Sequence, residues 1–309
     1  MMRREPRPWK QVFAGASLFT FAQFAGVVLM LIVTLMKGDF GADGTISAGI
    51  DFSDEGLELS GPDAEDLYAN AWPGFPIGLA AQALISVIGF FVMIPKLTGR
   101  KPYELMGPRV WREFGAGLGL GALPVAMGVA IVAMIGSISL HNASLNTGII
   151  SGLMIGIGAG FAEEIFFRGF LLRLIDKRFG SWVALISISL LFGLIHISNP
   201  GASLWGAVAI TMAAGPLLNA AYLLTRRLWL PIGIHVAWNA VQSAVFGIDV
   251  SGIGSGRGLF ESTHSGPDLL SGGSMGIEGS VVLVAIGLAF GVAITILTYR
   301  AGRMLPRRT

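Results

Sequence analysis

The sequence predicts an all-α fold: a polytopic membrane helix bundle of about eight transmembrane helices with both termini cytoplasmic. Three observations carry that prediction. Hydrophobic residues make up 53% of the 309 and charged residues 13%, with a mean hydropathy of +0.70, which is too apolar for a soluble globule. The apolar residues gather in eight runs, each near the roughly 20 residues an α-helix needs to cross a bilayer. Basic residues precede the first run and follow every second one, so 18 of the 21 Lys and Arg fall on one side of the alternating pattern. The positive-inside rule assigns that side to the cytoplasm.

The composition also excludes classes of function. Without cysteine there is no disulfide, no thiolate nucleophile and no thiolate metal site. The basic residues form short clusters beside apolar runs and no continuous face, so no nucleic acid is expected as a partner. The expected surroundings are a lipid bilayer, with a multi-pass chain in the plasma membrane.

The segment from Met1 to Lys10 carries Arg3, Arg4, Arg7 and Lys10 ahead of an apolar run from Val12 to Met36. That run is about twice the length of a secretory signal core and lacks a small-residue cleavage site, so it reads as an uncleaved first span. Residues 37 to 72 hold nine acids against one base, Lys37, and read as a soluble outer loop. Further runs follow at 74–94, 114–138, 148–172, 182–198, 202–224, 228–246 and 280–299. Residues 247 to 280, rich in Gly and Ser, read as an exposed outer loop without a catalytic signature; His141 and His264 fall outside the spans and read as solvated. Six of the seven tryptophans lie at or near run ends, as rings anchored at headgroups do, whereas Trp238 sits deep in its run. Glycines four apart, Gly115 to Gly119, Gly117 to Gly121, and Gly152 to Gly156 to Gly160, predict close helix packing.

The last of those stripes continues in step to Glu164, within Gly160-Phe-Ala-Glu163-Glu164-Ile-Phe-Phe-Arg168-Gly169. A charge near the middle of a membrane helix costs about 2.5–3.5 kcal/mol on insertion scales, so three in six residues need a reason. On a helix Glu164 and Arg168 stand four apart on one face and pair, while Glu163 projects about 100° away. The fifth run adds Phe192-Gly-Leu-Ile-His196 and the seventh His235-Val-Ala-Trp238-Asn239. With Gly180 as the pivot of an antiparallel hairpin, Glu164 and His196 come level, and at about 1.5 Å per residue Glu164 and His235 both lie roughly 12–13 Å above the basic side. Depth therefore allows the polar groups to share one layer, nearer the cytoplasmic side. A carboxylate held out of bulk water can take a proton from a water molecule, a histidine can share in that, and an amide with a second histidine can donate to a developing oxyanion.

Together, Glu163-Glu164-x-x-x-Arg168, Phe192-x-x-x-His196 and His235-x-x-x-Asn239 resemble the ordered motifs of the CPBP intramembrane proteases, which include CAAX prenyl endopeptidases and bacteriocin-processing and immunity-related homologues. The resemblance covers about residues 148 to 245. It implies an intramembrane endopeptidase acting on a membrane-associated peptide or protein, with Glu163 as the base that activates water, Glu164 and Arg168 as its supporting pair, His196 as a partner in water activation, and His235 and Asn239 as oxyanion stabilisers. No cofactor is expected; zinc on Glu163, His196 and His235 is the alternative, although no His-Glu-x-x-His is present. A proton-coupled transporter, or a non-catalytic immunity or scaffold protein, are the competing classes. The expected organisation is a three-span region at 1–147, a catalytic core of spans four to seven at 148–246, and an outer loop with the last span and a basic tail at 247–309.

Overall fold

The computed structural model describes residues 7–36, 51–53, 56–58, 71–254 and 257–306. Its helices are α1 Pro8–Met36, α2 Gly74–Thr98, α3 Val110–Ile135, α4 Thr147–Glu164, α5 Arg173–Phe179, α6 Ser181–Ile195, α7 Leu204–Thr225, α8 Trp229–Ala240, α9 Asp268–Ser271 and α10 Val281–Arg300. A π-helical stretch, Ile165–Leu172, joins α4 to α5 without a break, and a second, Val241–Val245, extends α8. Two short antiparallel pairs complete the inventory: β1 Asp51–Ser53 with β2 Gly56–Glu58, and β3 Ile138–His141 with β4 Glu261–His264. Apart from β1, β2 and its last two residues, the expected outer loop at 37–72 lies outside the described residues.

Helix ends follow local chemistry. Asn146 and Ser203 cap α4 and α7 by accepting from the backbone N–H of Gly148 and Gly206, each at 2.9 Å, and Ser280 caps α10 through Val282. Gly99 and Gly136 close α2 and α3 in the left-handed conformation that a Cβ resists. A spanning helix needs no outside partner for its interior backbone, so the bilayer admits this architecture.

Among the described residues seven helical segments are long and apolar enough to cross a membrane, which leaves one expected run different. The run at 228–246 forms a 12-residue α-helix and a five-residue π-stretch, and every residue from Leu230 to Ala240 is buried. Its apolarity serves helix packing on all sides, a pattern that sequence does not separate from lipid contact. Gly117 and Gly121 of α3 lie against the backbone of Leu230, Gly233 and Ile234, while Gly152, Gly156 and Gly160 of α4 lie against Ala244, Val236 and Ala240. The first contact runs parallel and the second antiparallel, so α8 is wedged between α3 and α4 with the direction expected of the seventh of eight alternating segments. Gly115 and Gly119 differ from the expected packing: an added Cβ at either meets nothing within 4 Å.

The loop at 247–280, expected to be exposed, folds into the bundle. Ile248, Val250, Met275, Ile277 and Glu278 are buried in it. Its few apolar residues are diluted by glycine, and the glycines permit the infolding: Gly276, at φ 68°, rests against the backbone of Asp249. His141 and His264 sit in the β3–β4 pair and are exposed.

The basic segments meet at one end of the bundle. Arg226 pairs with Asp176, which also takes the Ser181 hydroxyl; Arg100 makes a two-pronged pair with Glu104 at 2.7 and 3.0 Å; Arg227 pairs with Glu113 at 2.7 Å. Arg173 reaches Gln11 of α1 at 2.5 Å, and Ser181 N–H donates to Leu305 O at 3.0 Å. The basic exits of four helical pairs are thus one structural surface.

Two outcomes follow. Single cysteines introduced at Asp51 and Gly266 will react with an impermeant thiol reagent from outside intact cells while one at Lys177 will not; labelling in the reverse sense contradicts the orientation. Gly156→Leu forces α4 off α8, because an added Cβ falls 2.5 Å from Val236 O. Overpacking of this kind costs about 1–3 kcal/mol or more, read as a lowered unfolding temperature in detergent, whereas Gly119→Leu leaves it unchanged.

Candidate active site

The glycine stripe that brings α4 against α8 determines where the acids go. Four residues past Gly160, Glu164 faces α8, where its Oε1 accepts from His235 Nδ1 at 2.9 Å and from Arg168 Nη1 at 2.7 Å. Both Glu164 and Arg168 are fully buried. Arg168 lies in the π-helical stretch and donates from Nε to Asn219 Oδ1 at 2.9 Å, and its guanidinium stacks 4.4 Å from the centroid of the Phe192 ring. Asn219 is held in turn by donation to Leu185 O and Ser189 Oγ at 3.1 and 3.0 Å. The ion pair therefore bonds α4 and its extension to α6, α7 and α8.

Glu163 points the other way, into a cavity of about 310 Å³. His196, which opens the 3-10 turn after α6, faces it: Nε2 stands 4.0 Å from Glu163 Oε2, while Nδ1 lies 2.6 Å from Phe192 O. A carbonyl only accepts, so that bond selects the tautomer with hydrogen on Nδ1 and leaves the lone pair on Nε2. Glu163 Oε2 has no hydrogen-bond partner among the described residues although it is shielded from solvent. His235 and Asn239, one helical turn apart on α8, line the same cavity. The Asn239 amide makes no hydrogen bond to any described residue, although Asn239 is only 4% exposed. A second void of about 10 Å³, near the size of one water, lies beyond it against Trp238 and Glu278.

The structure thus brings all six expected residues together and divides them: Glu163, His196, His235 and Asn239 border the cavity, and Glu164 and Arg168 lie behind it. Among the described residues no group of three or more His, Asp or Glu is placed to hold a metal ion. Sequence reasoning missed Asn219, although a lone amide in the apolar run 202–224 is a readable signal. It also missed Glu278, which accepts from Trp238 Nε1 and Ser251 Oγ, both at 2.6 Å, and fastens the infolded loop to α8 beside Asn239. No periodicity in a Gly- and Ser-rich stretch announces that contact.

Residues 145–241 match the family model described as type II CAAX prenyl endopeptidase Rce1-like, which agrees with the CPBP and CAAX protease family indicated by the motifs. All six site residues fall inside the matched stretch, and Glu278, Gln23 and Gln82 fall outside it. No curated protein and no solved structure matches the chain.

Breaking the buried pair has a definite cost. Arg168→Ala leaves Glu164 as a buried carboxylate without its cation, a loss of about 3–5 kcal/mol. Asn219→Leu removes one bond to a charged donor, about 1.5–3 kcal/mol. Thermal unfolding in detergent micelles will rank the two in that order below the wild type; equal stability of all three would contradict the assigned role.

Proposed function

We propose that this membrane protein, whose Rce1-like domain is of the CAAX-type protease family, is a glutamate-dependent intramembrane endopeptidase that hydrolyses a peptide bond in a membrane-associated peptide or protein. The observation that carries the reading is the facing of two acceptors, Glu163 Oε2 and His196 Nε2, at 4.0 Å across the cavity. Two acceptors do not bond each other. A water giving one hydrogen to each satisfies both: with donor–acceptor distances of about 2.8 Å the angle at its oxygen is roughly 90°, somewhat tighter than water's own. Such a water lies on the cavity face where Glu163 is free to take its proton.

In this reading Glu163 removes a proton from the water as its oxygen attacks the carbonyl carbon of the substrate, and the carbonyl oxygen becomes an oxyanion. Asn239 Nδ2 is free to donate to that oxygen. His235 spends Nδ1 on Glu164; as an imidazolium it has a second N–H, on Nε2, for the same oxygen. Glu163 then passes its proton to the leaving amine as the C–N bond breaks, so the enzyme returns to its starting protonation. Glu164 and Arg168 do not touch substrate in this scheme. They hold His235 and fix the end of α4 from which Glu163 projects.

The reading includes no metal. Glu164 is engaged by Arg168 and His235, and Asn239 is an uncommon zinc ligand, so the donor set fits an oxyanion better than a cation.

The test compares membrane proteomes of cells carrying the wild type or Glu163→Gln, followed by cleavage of the identified substrate with purified protein. Glu163→Gln will abolish turnover, and wild-type turnover by that variant would exclude Glu163 as the base. Asn239→Ala will raise the barrier by about 2.7–4 kcal/mol, as removal of an oxyanion donor does elsewhere. Activity will survive thorough chelation, with no stoichiometric metal by elemental analysis; loss on chelation and recovery with zinc would replace the metal-free step while keeping the residues.

A further inference from the structure

The reacting groups line one part of the cavity, and another wall belongs to α1 and α2, outside the family match. That wall is apolar at Phe19, Phe75 and Leu79 but carries two primary amides, Gln23 and Gln82. Gln82 is 6% exposed, and neither glutamine side chain makes a hydrogen bond to any described residue. Buried amides are normally paired, because an unmet donor or acceptor costs about 1–3 kcal/mol. The buried amides of Asn219 and Gln242 each donate to neighbouring protein groups, whereas the buried amide of Gln82 and the half-buried amide of Gln23, like that of Asn239, line the cavity without a partner among the described residues. α1 and α2 pack closely beside them through Gly26 and Gly78, and an added Cβ on Gly26 would meet Gln82 Cβ at 3.4 Å. The wall that carries the amides is therefore closely packed.

The cavity lining has a second property. Among the described residues it contains no lysine and no arginine, and its one acid is Glu163. Arg168, the nearest guanidinium in sequence to Glu163, is fully buried behind Glu164. Apart from His196 and His235, no described lining residue offers a cationic group to a carboxylate.

From these observations, and resting on the endopeptidase reading above, we infer that Gln23 and Gln82 are recognition groups for the main chain of the substrate, and that the cavity takes an extended, uncharged peptide segment without using a terminal carboxylate. An extended strand presents N–H and C=O groups that a primary amide matches from both of its ends. Apolar side chains of the segment fit the phenylalanine and leucine surfaces, an acidic one meets no lysine or arginine among the described lining residues, and a basic one meets only Glu163, the group the reaction needs.

The test is binding in nanodiscs, read by anisotropy of a fluorophore-labelled decapeptide of neutral, mostly apolar residues, prepared as the C-terminal amide, as the free acid, and with a central Lys or Glu. Binding is measured on the Glu163→Gln protein, so it does not depend on turnover. The expected result is saturable binding of amide and free acid with affinities within about threefold, and weakening of at least roughly tenfold by the central charge. Gln82→Leu and Gln23→Leu will each weaken binding by roughly 5- to 150-fold, the range for one unmet hydrogen bond. On any peptide that the wild type cleaves, the same variants will raise KM and leave kcat within about threefold, a split that mere loss of folding does not give. Gln82→Glu, which keeps an acceptor, covers the case in which the leucine variant fails to fold, and it will bind more weakly than wild type. Absence of saturable binding, a requirement for the free carboxylate, or unchanged affinity in the glutamine variants would overturn the inference. Cleavage without dependence on Glu163 would instead overturn the endopeptidase reading and leave the binding result standing.

Discussion

The structure depends on one electrostatic constraint: Arg168 is fully buried in the middle of a helical bundle and has to be neutralised there. A guanidinium without partners in such surroundings is not tolerated, and the neighbouring helices are arranged to supply them. Glu164 provides the charge, Asn219 an oxygen, and the face of Phe192 a π surface. Each partner comes from a different part of the chain, so meeting the needs of one cation fixes how α4, α6 and α7 lie together. His235 joins through the same carboxylate oxygen and brings α8 into the arrangement.

Two adjacent glutamates thereby acquire opposite properties. Glu164 is fully buried and saturated at one oxygen by two donors. Glu163, one residue earlier and on another face, receives neither donor and looks onto a cavity, although Glu164 also keeps one oxygen, Oε2, without a partner among the described residues. Helical geometry alone separates them, and the glycine stripe on α4 decides which one meets α8. The close contact that glycine permits is also what puts His235 and Asn239 within the site, since α8 is wedged between the glycine faces of α3 and α4. Packing and chemistry in this protein share the same residues.

Much of this was legible in the sequence because membrane helices announce themselves by length and apolarity, and because charges inside them are conspicuous. Glu163, Glu164, Arg168, His196, His235 and Asn239 could be read together since each is a polar break in an apolar run, and counting residues placed them at one depth. What stayed hidden has physical causes. The helix at Trp229–Val245 is apolar because protein surrounds it, and hydropathy does not distinguish protein from lipid. The burial of the segment ending at Gly279 depends on backbone fit between glycines, which leaves no periodicity. Gln23 and Gln82 were readable as polar residues in spans, but only the fold shows that both face the same cavity as Glu163.

The central claim is that Glu163 acts on a water molecule and does not itself attack the peptide bond. Single-turnover hydrolysis in ¹⁸O-enriched water, with wild-type enzyme in excess over substrate, tests it directly. Mass spectrometry should find one solvent oxygen in the new carboxylate of the product and none in the peptide of the enzyme that contains Glu163, and hydroxylamine present during turnover should give no product hydroxamate, which a mixed anhydride opened at the substrate carbonyl would form. Solvent label in Glu163, or a first-turnover product that lacks it, would mean an acyl-enzyme intermediate at that carboxylate and would contradict the account.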